Sequence, residues 1–488
     1  MLRTASLFSQ LLQHFPRNEF QLLVKEHRAE WRAKGFSCWT QLVAMLFSQM
    51  AHADSLREIC NGLSCCLGKL VHLGIGRAPN KSTLSYANEH RPAGLFEKLF
   101  WVALARFRSE EGVGQRKGKF RFKNKLLSLD STTISLCLAL FPWAEFRRAK
   151  GGVKVHVLLD HDDYMPAFVH ITNAKLHDVR ITRYLSLPAG SIVTDDRGYN
   201  DYKLFGKWTE RGIYFVTRMK DNAVYEVIEK RKVPKNSNIL SDEIIRWTGF
   251  YAEKHCPQAL RRVVVWDDKH QRELVFVTNH LEFGATTISA IYKDRWEIEL
   301  FFKALKQNLT IKTFVGTSEN ALRIQIWTAL IAMLLLKWLH HLSKARWSLS
   351  NLASMLRLNL FTYRDLRAWL DDPFQTPPLT PSSVQLSLPL PFLGQPANAK
   401  GDQAQKYATD RSGMPLLCGL LAQTCPVLDS SGIRFILKTA AESLQKFRRW
   451  VNTYRAIAFI LKKTNLPLDI SRSSNMANMW ICDVLTGY

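Results

Sequence analysis

The spacing of apolar residues changes near residue 126, and this change divides the chain into a helical part and a strand-rich part. Before it, apolar residues recur three or four positions apart, as in Leu42, Met45 and Leu46. After it, apolar and polar residues alternate over 153–157, which is the period of a β-strand. The chain is therefore predicted to be α/β, with an all-α N-terminal domain.

Length, proline content and pattern together predict several domains. The chain has 488 residues, and seven of its 18 prolines fall between Pro373 and Pro396, which is typical of a linker or an extended tail. The boundaries we predict are a helical N-terminal domain (1–108), the first part of an α/β core (120–224), a β-rich insertion (225–285), the second part of the core (286–345), a helix with the Pro-rich tail (346–399) and a C-terminal extension of unassigned role (400–488). The extension is either an extra module or read-through past a lost stop codon.

The charge of the chain indicates a polyanionic partner. Its formal net charge is +25, which favours nucleic acid first and an acidic membrane surface second. A hydrophobic content of 47% excludes disorder as the main state. The most apolar run, Ile326–Leu336, is too short to span a bilayer and predicts a buried helix, so we expect no membrane partner. Nine cysteines without a Cys-x-x-Cys pair fit a reducing cytoplasm.

A short segment between two prolines has the pattern of a recognition helix. It runs from Lys81 to Arg91, follows Pro79 and is stopped by Pro92, with Ser82 as its expected N-cap. Four polar residues are predicted to be exposed and to contact a DNA major groove: Lys81, Ser85, Asn88 and Arg91. The alternative is a surface helix of a small bundle.

A basic stretch follows at 116–125. Six of its ten residues are Lys or Arg, with two Phe between them and no acid. This composition suits either a solvated linker or contact with a phosphate backbone. The residues that we expect to contact DNA are Arg116, Lys117, Lys119 and Arg121.

Carboxylates follow two predicted strands and lie on one predicted helix. The strand near 126–130 ends on Asp130, and the strand near 191–196 ends on Asp195 and Asp196. A helix beginning at Thr286 or Thr287 and ending near Asn308 supplies Glu297 and Glu299. Three converging carboxylates can hold two Mg²⁺ or Mn²⁺ ions, which stabilise both the attacking and leaving oxygens of a phosphoryl transfer.

Helical geometry distinguishes the two glutamates. At about 100° per residue, five residues fall within about 80° of one another: Tyr292, Arg295, Glu299, Lys303 and Lys306. Glu297 points roughly 160° away from Glu299. Glu299 is therefore the predicted metal ligand, with cations beside it for phosphates. The alternative is a simple i,i+4 pair between Arg295 and Glu299, worth about 0.3–0.5 kcal/mol when exposed.

These motifs resemble a known family. The spacing Tyr292-x2-Arg295-x3-Glu299-x6-Lys306 resembles the YREK signature of the IS-four type of insertion-sequence transposases, a bacterial branch of the DDE transposase superfamily. The segments 130–133 (DSTT) and 196–199 (DRGY) are similar to the two aspartate motifs of that family. Softer similarity extends to the N-terminal domain, at 8–16, 73–76 and 82–84.

The resemblance implies an RNase H-like catalytic core interrupted by the β-rich insertion. It implies that Asp130, Asp196 and Glu299 form a DDE triad that binds two Mg²⁺ ions, for which Mn²⁺ may be exchanged, while Tyr292, Arg295 and Lys306 hold DNA phosphates. Asp195 competes with Asp196, but the Asp-Arg-Gly-Tyr motif selects Asp196, and neighbouring strand residues point to opposite faces.

The activity implied is cut-and-paste transposition. Water would nick each transposon end, and the freed 3′ hydroxyl would attack the opposite strand, giving a hairpin, and later target DNA. The implied partners are double-stranded DNA, as terminal inverted repeats and target, and a second copy of the chain in a synaptic homodimer. The implied location is the nucleoid of a bacterial cytoplasm.

Two other functions compete with this one. The first is a catalytically inactive or domesticated transposase that only binds DNA. The second is a paired-carboxylate hydrolase of sugars, against which the charge of +25 speaks. Four further candidates, for which a structural role is the favoured interpretation, are Lys154, His156, Asp178 and Trp266.

Overall fold

The computed structural model describes residues 5–31, 33–66, 68–110, 119–147, 150–235 and 237–378. These residues belong to one compact unit, Met1–Gln385. The predicted tail beyond residue 378 and the predicted extension at 400–488 lie outside the described residues, as do Arg116 and Lys117.

The N-terminal part is helical, as the apolar spacing predicts. Its helices are α1 (Leu7–Leu12), α2 (Arg17–Glu26), α3 (Cys38–Ala51), α4 (Leu56–Ser64), α5 (Lys81–His90) and α6 (Gly94–Glu110), with a 3₁₀ turn at Leu70–Leu73. Ser6, Ser37 and Ser55 cap α1, α3 and α4, because each hydroxyl accepts a hydrogen bond from the backbone N–H three residues later. The predicted cap of α5 is wrong: the helix begins after Asn80, and Ser82 lies inside its first turn.

The central sheet has ten strands. They are β1 (Leu126–Leu136), β2 (Glu145–Arg147), β3 (Lys150–Asp160), β4 (Met165–Asn173), β5 (Ile192–Asp195), β6 (Tyr214–Arg218), β7 (Tyr225–Lys230), β8 (Ile239–Trp247), β9 (Leu260–Asp267) and β10 (Arg272–Thr278). Short helices lie between them, at Pro142–Ala144, Asp178–Tyr184, Arg197–Tyr199, α7 (Tyr202–Glu210) and α8 (Phe250–His255).

Strand order confirms the predicted RNase H-like fold. β4, β3 and β1 are antiparallel neighbours, and β5 and then β6 continue the sheet in parallel from β1. β1 runs six residues beyond Asp130, to Leu136. Asp130 therefore lies within a strand, where the sequence had predicted a strand end.

The β-rich insertion extends the same sheet. β10 pairs with β6, and β9, β8 and β7 follow outward. The predicted hairpin at 261–278 is present as the antiparallel pair β9 and β10. A buried ion pair fixes the insertion internally, because Arg261 donates two hydrogen bonds to Asp242, of 2.8 and 2.7 Å.

The chain returns to helices after β10. They are α9 (Ala285–Asp294), α10 (Trp296–Asn308), α11 (Glu319–Leu342), α12 (Leu349–Asn359) and α13 (Leu366–Asp371). The single long helix predicted from Thr286 or Thr287 is wrong in two respects. Gly284 is its N-cap, and the helix is interrupted at Arg295, where two hydrogen bonds span three residues instead of four.

Helix α11 is the centre of the helical core. By length and composition it is apolar enough to cross a membrane, but 89% of its most apolar window is buried inside the protein. Trp327 packs against Phe100 with ring centroids 5.7 Å apart, and Trp338 stacks on Phe107 at 5.2 Å. The N-terminal helices and α10–α13 thus share one hydrophobic core.

Candidate active site

Sheet register brings the first two predicted carboxylates to one face. In the parallel pair of β1 and β5, Leu129 lies opposite Asp195, so Asp130 lies beside Asp196 one position further on. Residues 126, 128 and 130 face α9, because Leu126 packs with Ile288 and Ile291 of that helix. Asp130 and Asp196 therefore share the face that α9 and α10 cover.

Asp195 lies on the opposite face, with Leu129. Its side chain is fully buried, and neither carboxylate oxygen has a hydrogen-bond partner among the described residues. The neighbouring Thr217 hydroxyl donates to Asn200 instead, at 2.9 Å. Burial, with a smaller effect from the negative charge of Asp196, raises the pKa of Asp195 to about 7. Such a group is ill suited to bind a metal ion shared with Asp130.

Arg295 joins the third carboxylate to the first. It lies at the break between α9 and α10, and its guanidinium donates to Glu299 Oε1 at 2.7 Å. Another guanidinium nitrogen lies 3.6 Å from Asp130 Oδ2. The interaction between Arg295 and Glu299 is therefore part of a three-residue bridge between a helix and a strand, which goes beyond an isolated i,i+4 pair.

Asp130 carries the clearest electrostatic signature. Burial raises its pKa to about 6, against the stabilising effects of the Ser131 backbone N–H and Arg295. The negative charges of Asp196 and Glu299 raise this pKa further. The other two predicted ligands thus repel Asp130, and the Arg295 guanidinium contacts Asp130 and Glu299.

The donor set fits a hard divalent cation. All three groups are carboxylates, the ligand type that Mg²⁺ and Mn²⁺ prefer, and a divalent ion would relieve their mutual repulsion. Within the residues that the structure describes, no three His, Cys, Asp or Glu side chains close into a complete metal-binding group. One oxygen of Glu299 is bonded to Arg295.

The other residues of the predicted helix face surround this bridge. Tyr292 is buried against Phe276, with ring centroids 4.6 Å apart. Lys303 is exposed, and Lys306 is half-buried with its Nζ 3.4 Å from the carbonyl oxygen of Thr133. Glu297, as predicted, faces away, into a cavity lined by Asp163 and other residues.

Sequence reasoning missed two arginines at the ends of neighbouring elements. Arg218 ends β6, and its Nε is buried without an acceptor among the described residues. Burial, and then the positive charge of Arg197, lower the pKa of Arg218. Arg197 itself binds Asp221 through two hydrogen bonds of 3.0 Å. The signal was available, because Arg218 is the last residue of its strand and Asp196 directly follows β5, so both lie at strand ends.

The secondary candidates have structural partners. His156 is fully buried, and its Nε2 lies 3.0 Å from the Thr172 hydroxyl. Burial lowers the pKa of His156 to about 4. Lys154 donates to Asp178 at 3.1 Å. Trp266 is half-buried in the β9–β10 hairpin.

Half of the predicted recognition face is wrong. Lys81 and Ser85 are exposed on α5, but Asn88 and Arg91 are buried. Both bond to Gln41 of α3, which donates to Asn88 Oδ1 at 2.8 Å and accepts from the Arg91 guanidinium at 3.1 Å. These two side chains hold α5 in the bundle and are not available to DNA.

The basic stretch is partly tied to the fold. Lys119 donates to Asp294 at 2.5 Å although its side chain is 62% exposed, and Arg121 is exposed. The two Phe residues of this basic stretch are packed against other rings. Phe120 stacks on Phe122 at 5.0 Å, and Phe122 on Phe283 at 4.9 Å.

Comparison with known proteins shows which families the chain is similar to. Residues 121–335 match the family described as Transposase DDE domain, and residues 3–76 match one described as Domain of unknown function (DUF4372). The protein y4zB of Sinorhizobium fredii, provisionally named a transposase, is 30% identical over 312 residues, covering 62% of this chain and 83% of that protein.

Two further relatives carry insertion-sequence names, also provisional. A transposase for element IS5377 of Geobacillus stearothermophilus is 31% identical over 270 residues, covering 55% of this chain and 70% of the relative. A transposase for element IS4SA of Synechocystis is 25% identical over 279 residues, covering 54% and 73%.

Proposed function

Since the chain belongs to the DDE transposases of insertion sequences, we propose that it binds the terminal inverted repeats of its own element and cuts and transfers DNA there by a cut-and-paste route. It is a polynucleotidyl transferase, and DNA is its partner. The observation that carries the proposal is the alignment of Asp130 and Asp196 on one sheet face, with Glu299 joined to Asp130 through Arg295.

DDE transposase domains use a divalent metal, and we assign Mg²⁺, with Mn²⁺ as a substitute, to Asp130, Asp196 and Glu299. The ions would activate a water molecule or the 3′ hydroxyl of the DNA as the nucleophile, and would neutralise charge on the attacked phosphate. The role of Arg295 follows from its two contacts. While no cation is present it neutralises Glu299 and Asp130, and once it is displaced it can donate to a phosphate oxygen.

The DNA-contacting surface proposed around this site is cationic. Its described members are Lys81, Ser85, Lys119, Arg121, Lys303, Lys306, Arg197 and Arg218. Arg116 and Lys117 remain in the proposal from sequence alone, and Tyr292 remains from the motif although its ring is buried. Arg218 is a strong phosphate ligand on physical grounds, because its buried Nε has no acceptor among the described residues and the positive charges of Arg197 and Arg272 act on it. A phosphate would satisfy both deficits.

Two copies of the chain are proposed to act together. Cut-and-paste transposition needs both ends of an element to be held in one complex, so a synaptic homodimer is the simplest assembly. Acting on chromosomal DNA, it would lie with the nucleoid.

The test is a cleavage assay on a labelled duplex that carries the flanking inverted repeat. The protein is incubated with Mg²⁺ or with EDTA, beside Glu299→Ala and the matched control Glu297→Ala, which changes the glutamate that faces away. We expect nicking at the end of the repeat with Mg²⁺ only, lost in Glu299→Ala and kept in Glu297→Ala. Binding without nicking by the unaltered chain would overturn the proposal in favour of a DNA-binding relic.

A further inference from the structure

A buried chain of hydrogen bonds lies directly beneath the candidate carboxylates. Asp294 Oδ2 is 2.6 Å from His161 Nδ1, and His161 Nε2 is 2.6 Å from the Ser128 hydroxyl. That hydroxyl is 2.7 Å from the hydroxyl of Thr194. We call these four residues the junction relay.

Each end of the junction relay lies next to a residue of the active site. Asp294 is the last residue of α9 and precedes Arg295. Ser128 lies two positions before Asp130 on β1, and Thr194 lies two positions before Asp196 on β5. Because strand residues two apart share a face, the relay forms the layer below the carboxylates.

The relay has a complete and consistent set of donors. His161 can donate through Nδ1 to Asp294 and accept from Ser128 through Nε2, while Thr194 donates to Ser128. Burial alone would raise the pKa of Asp294, but hydrogen bonds from His161 and Lys119 outweigh it and lower that pKa. Asp294 is thus an ionised, nearly fully buried carboxylate with both oxygens bonded.

The order serine, histidine, aspartate is that of a hydrolase triad, but its placement excludes this chemistry. Ser128 is fully buried in the middle of the sheet, and its hydroxyl is shared with Thr194. No substrate carbonyl can reach it, and a nucleophile must contact its substrate. Apart from the bond between Asp294 and Lys119, the contacts of the relay are with the scaffold.

The helix break gives these contacts their importance. α9 and α10 are separated at Arg295, so the direction of α10, which carries Glu299, is not fixed by a continuous helical ladder. The junction is held from above by Arg295, which also bonds Glu299, and from below by Asp294. When Arg295 leaves the carboxylates for a phosphate, Asp294 remains as the polar anchor of the junction, beside the apolar packing of α10.

We propose that the junction relay positions α10 over β1 and β5, and so sets the distances from Glu299 to Asp130 and Asp196 at which a divalent metal and DNA are bound. This inference rests on the proposed function, because it concerns the same site. Asp294, His161 and Ser128 are positioning residues that touch neither DNA nor metal. A displacement of about 1 Å at a catalytic group can cost on the order of 100-fold in rate.

Asp294→Asn tests this with almost no change in volume. The single amide oxygen can accept from His161 or from Lys119, and the NH₂ group then faces the other donor, so one of the two bonds is lost in either orientation while His161 donates through Nδ1. The matched control is Asp242→Asn, the same substitution in a buried ion pair of the insertion. Three quantities are measured on each full-length protein: the single-turnover cleavage rate with Mg²⁺, the Kd for the repeat duplex in EDTA, and Mn²⁺ binding by electron paramagnetic resonance.

We expect Asp294→Asn to cleave roughly 10- to 100-fold more slowly and to bind Mn²⁺ more weakly, while the Kd for DNA changes much less than the cleavage rate because, among the described residues, Asp294 reaches the DNA-contacting surface through Lys119 alone. Asp242→Asn should lose thermal stability while its cleavage rate and Mn²⁺ binding stay normal. Equal cleavage and Mn²⁺ binding by Asp294→Asn and the unaltered chain would overturn the inference.

The outcomes separate this inference from the proposed function. If the unaltered chain binds the repeat but never cleaves it, the proposed function fails. If it cleaves and Asp294→Asn cleaves equally well, only the positioning role fails. Should Asp294→Asn not fold, Ser128→Ala removes a single hydroxyl from the far end of the relay and gives the same three measurements with the same expected direction.

Discussion

Replacing Asp130 by asparagine is expected to abolish strand cleavage and, in the absence of metal, to make the protein more stable. The reason is the crowding of negative charge at this site. Burial and the charges of Asp196 and Glu299 raise the pKa of Asp130 from 3.8 to about 6. The folded protein thus disfavours the ionised form that the unfolded chain carries at neutral pH.

The magnitude follows from the size of this shift. One pKa unit corresponds to about 1.36 kcal/mol, so the ionised carboxylate costs up to about 3 kcal/mol at pH 7.5. Asparagine keeps the shape and the oxygen that accepts from the Ser131 N–H at 2.7 Å. Part of the side chain is solvated, so we expect a gain of about 1–3 kcal/mol.

Thermal unfolding in EDTA measures this gain. A unit the size of Met1–Gln385 has an unfolding entropy of about 0.8 kcal/mol/K, so the Tm should rise by about 1–4 °C. The sign of the pH dependence is a further check. The cost of ionising Asp130 is absent below its pKa in the unfolded chain and reaches its full value above its pKa in the folded protein. The stability difference between Asp130→Asn and the unaltered chain should therefore shrink to about a third at pH 4.5.

Adding Mg²⁺ should reverse the order, because the ion stabilises only the protein that binds it. The unaltered chain should gain Tm with Mg²⁺, and Asp130→Asn should gain little. An Asp130→Asn protein that is equally or less stable than the unaltered chain in EDTA at pH 7.5 would refute the account of crowded carboxylates.

Three further predictions follow from the same geometry. Asp195→Asn should keep strand cleavage and raise the Tm in EDTA, since burial raises the pKa of Asp195 to about 7 and the group faces away from Asp130; a loss of cleavage without a loss of stability would contradict this. Arg218→Ala should weaken DNA binding and reduce the slope of log K against log salt by about 1, measured by fluorescence anisotropy; an unchanged slope would remove Arg218 from the phosphate surface. Asn88→Ala should lower the Tm through lost contacts with Gln41 and leave the salt slope of DNA binding unchanged. Lys81→Ala should leave the Tm unchanged and reduce the salt slope. A reduced salt slope in Asn88→Ala with an unchanged Tm would restore Asn88 to the DNA interface.

Local patterns predicted most elements correctly, because alternation and helical spacing are properties of neighbouring residues. The β9–β10 hairpin and the buried helix predicted from the apolar run Ile326–Leu336 are examples. The break at Arg295 was not predictable in this way, since Lys293 to Ile298 contains no helix breaker.

Contacts between distant segments account for the remaining errors. The inward face of α5 depends on Gln41, which is 47 positions before Asn88. The junction relay depends on His161 and Asp294, which are 133 positions apart. No periodicity encodes such pairs. The proposed triad carboxylates, in contrast, could be predicted because each belongs to a motif with its own local signature.

The most direct test of the central claim exchanges each proposed metal ligand for cysteine. Thiolate binds Mg²⁺ poorly and Mn²⁺ better, because it is a softer ligand than carboxylate. Cleavage of the repeat duplex is measured for Asp130→Cys, Asp196→Cys and Glu299→Cys with each ion. The account predicts that all three lose cleavage with Mg²⁺ and that at least one regains it with Mn²⁺, whereas Glu297→Cys cleaves with both. Full cleavage with Mg²⁺ by any one of the three variants would contradict the assignment of that residue. Full cleavage with Mg²⁺ by all three would contradict the account.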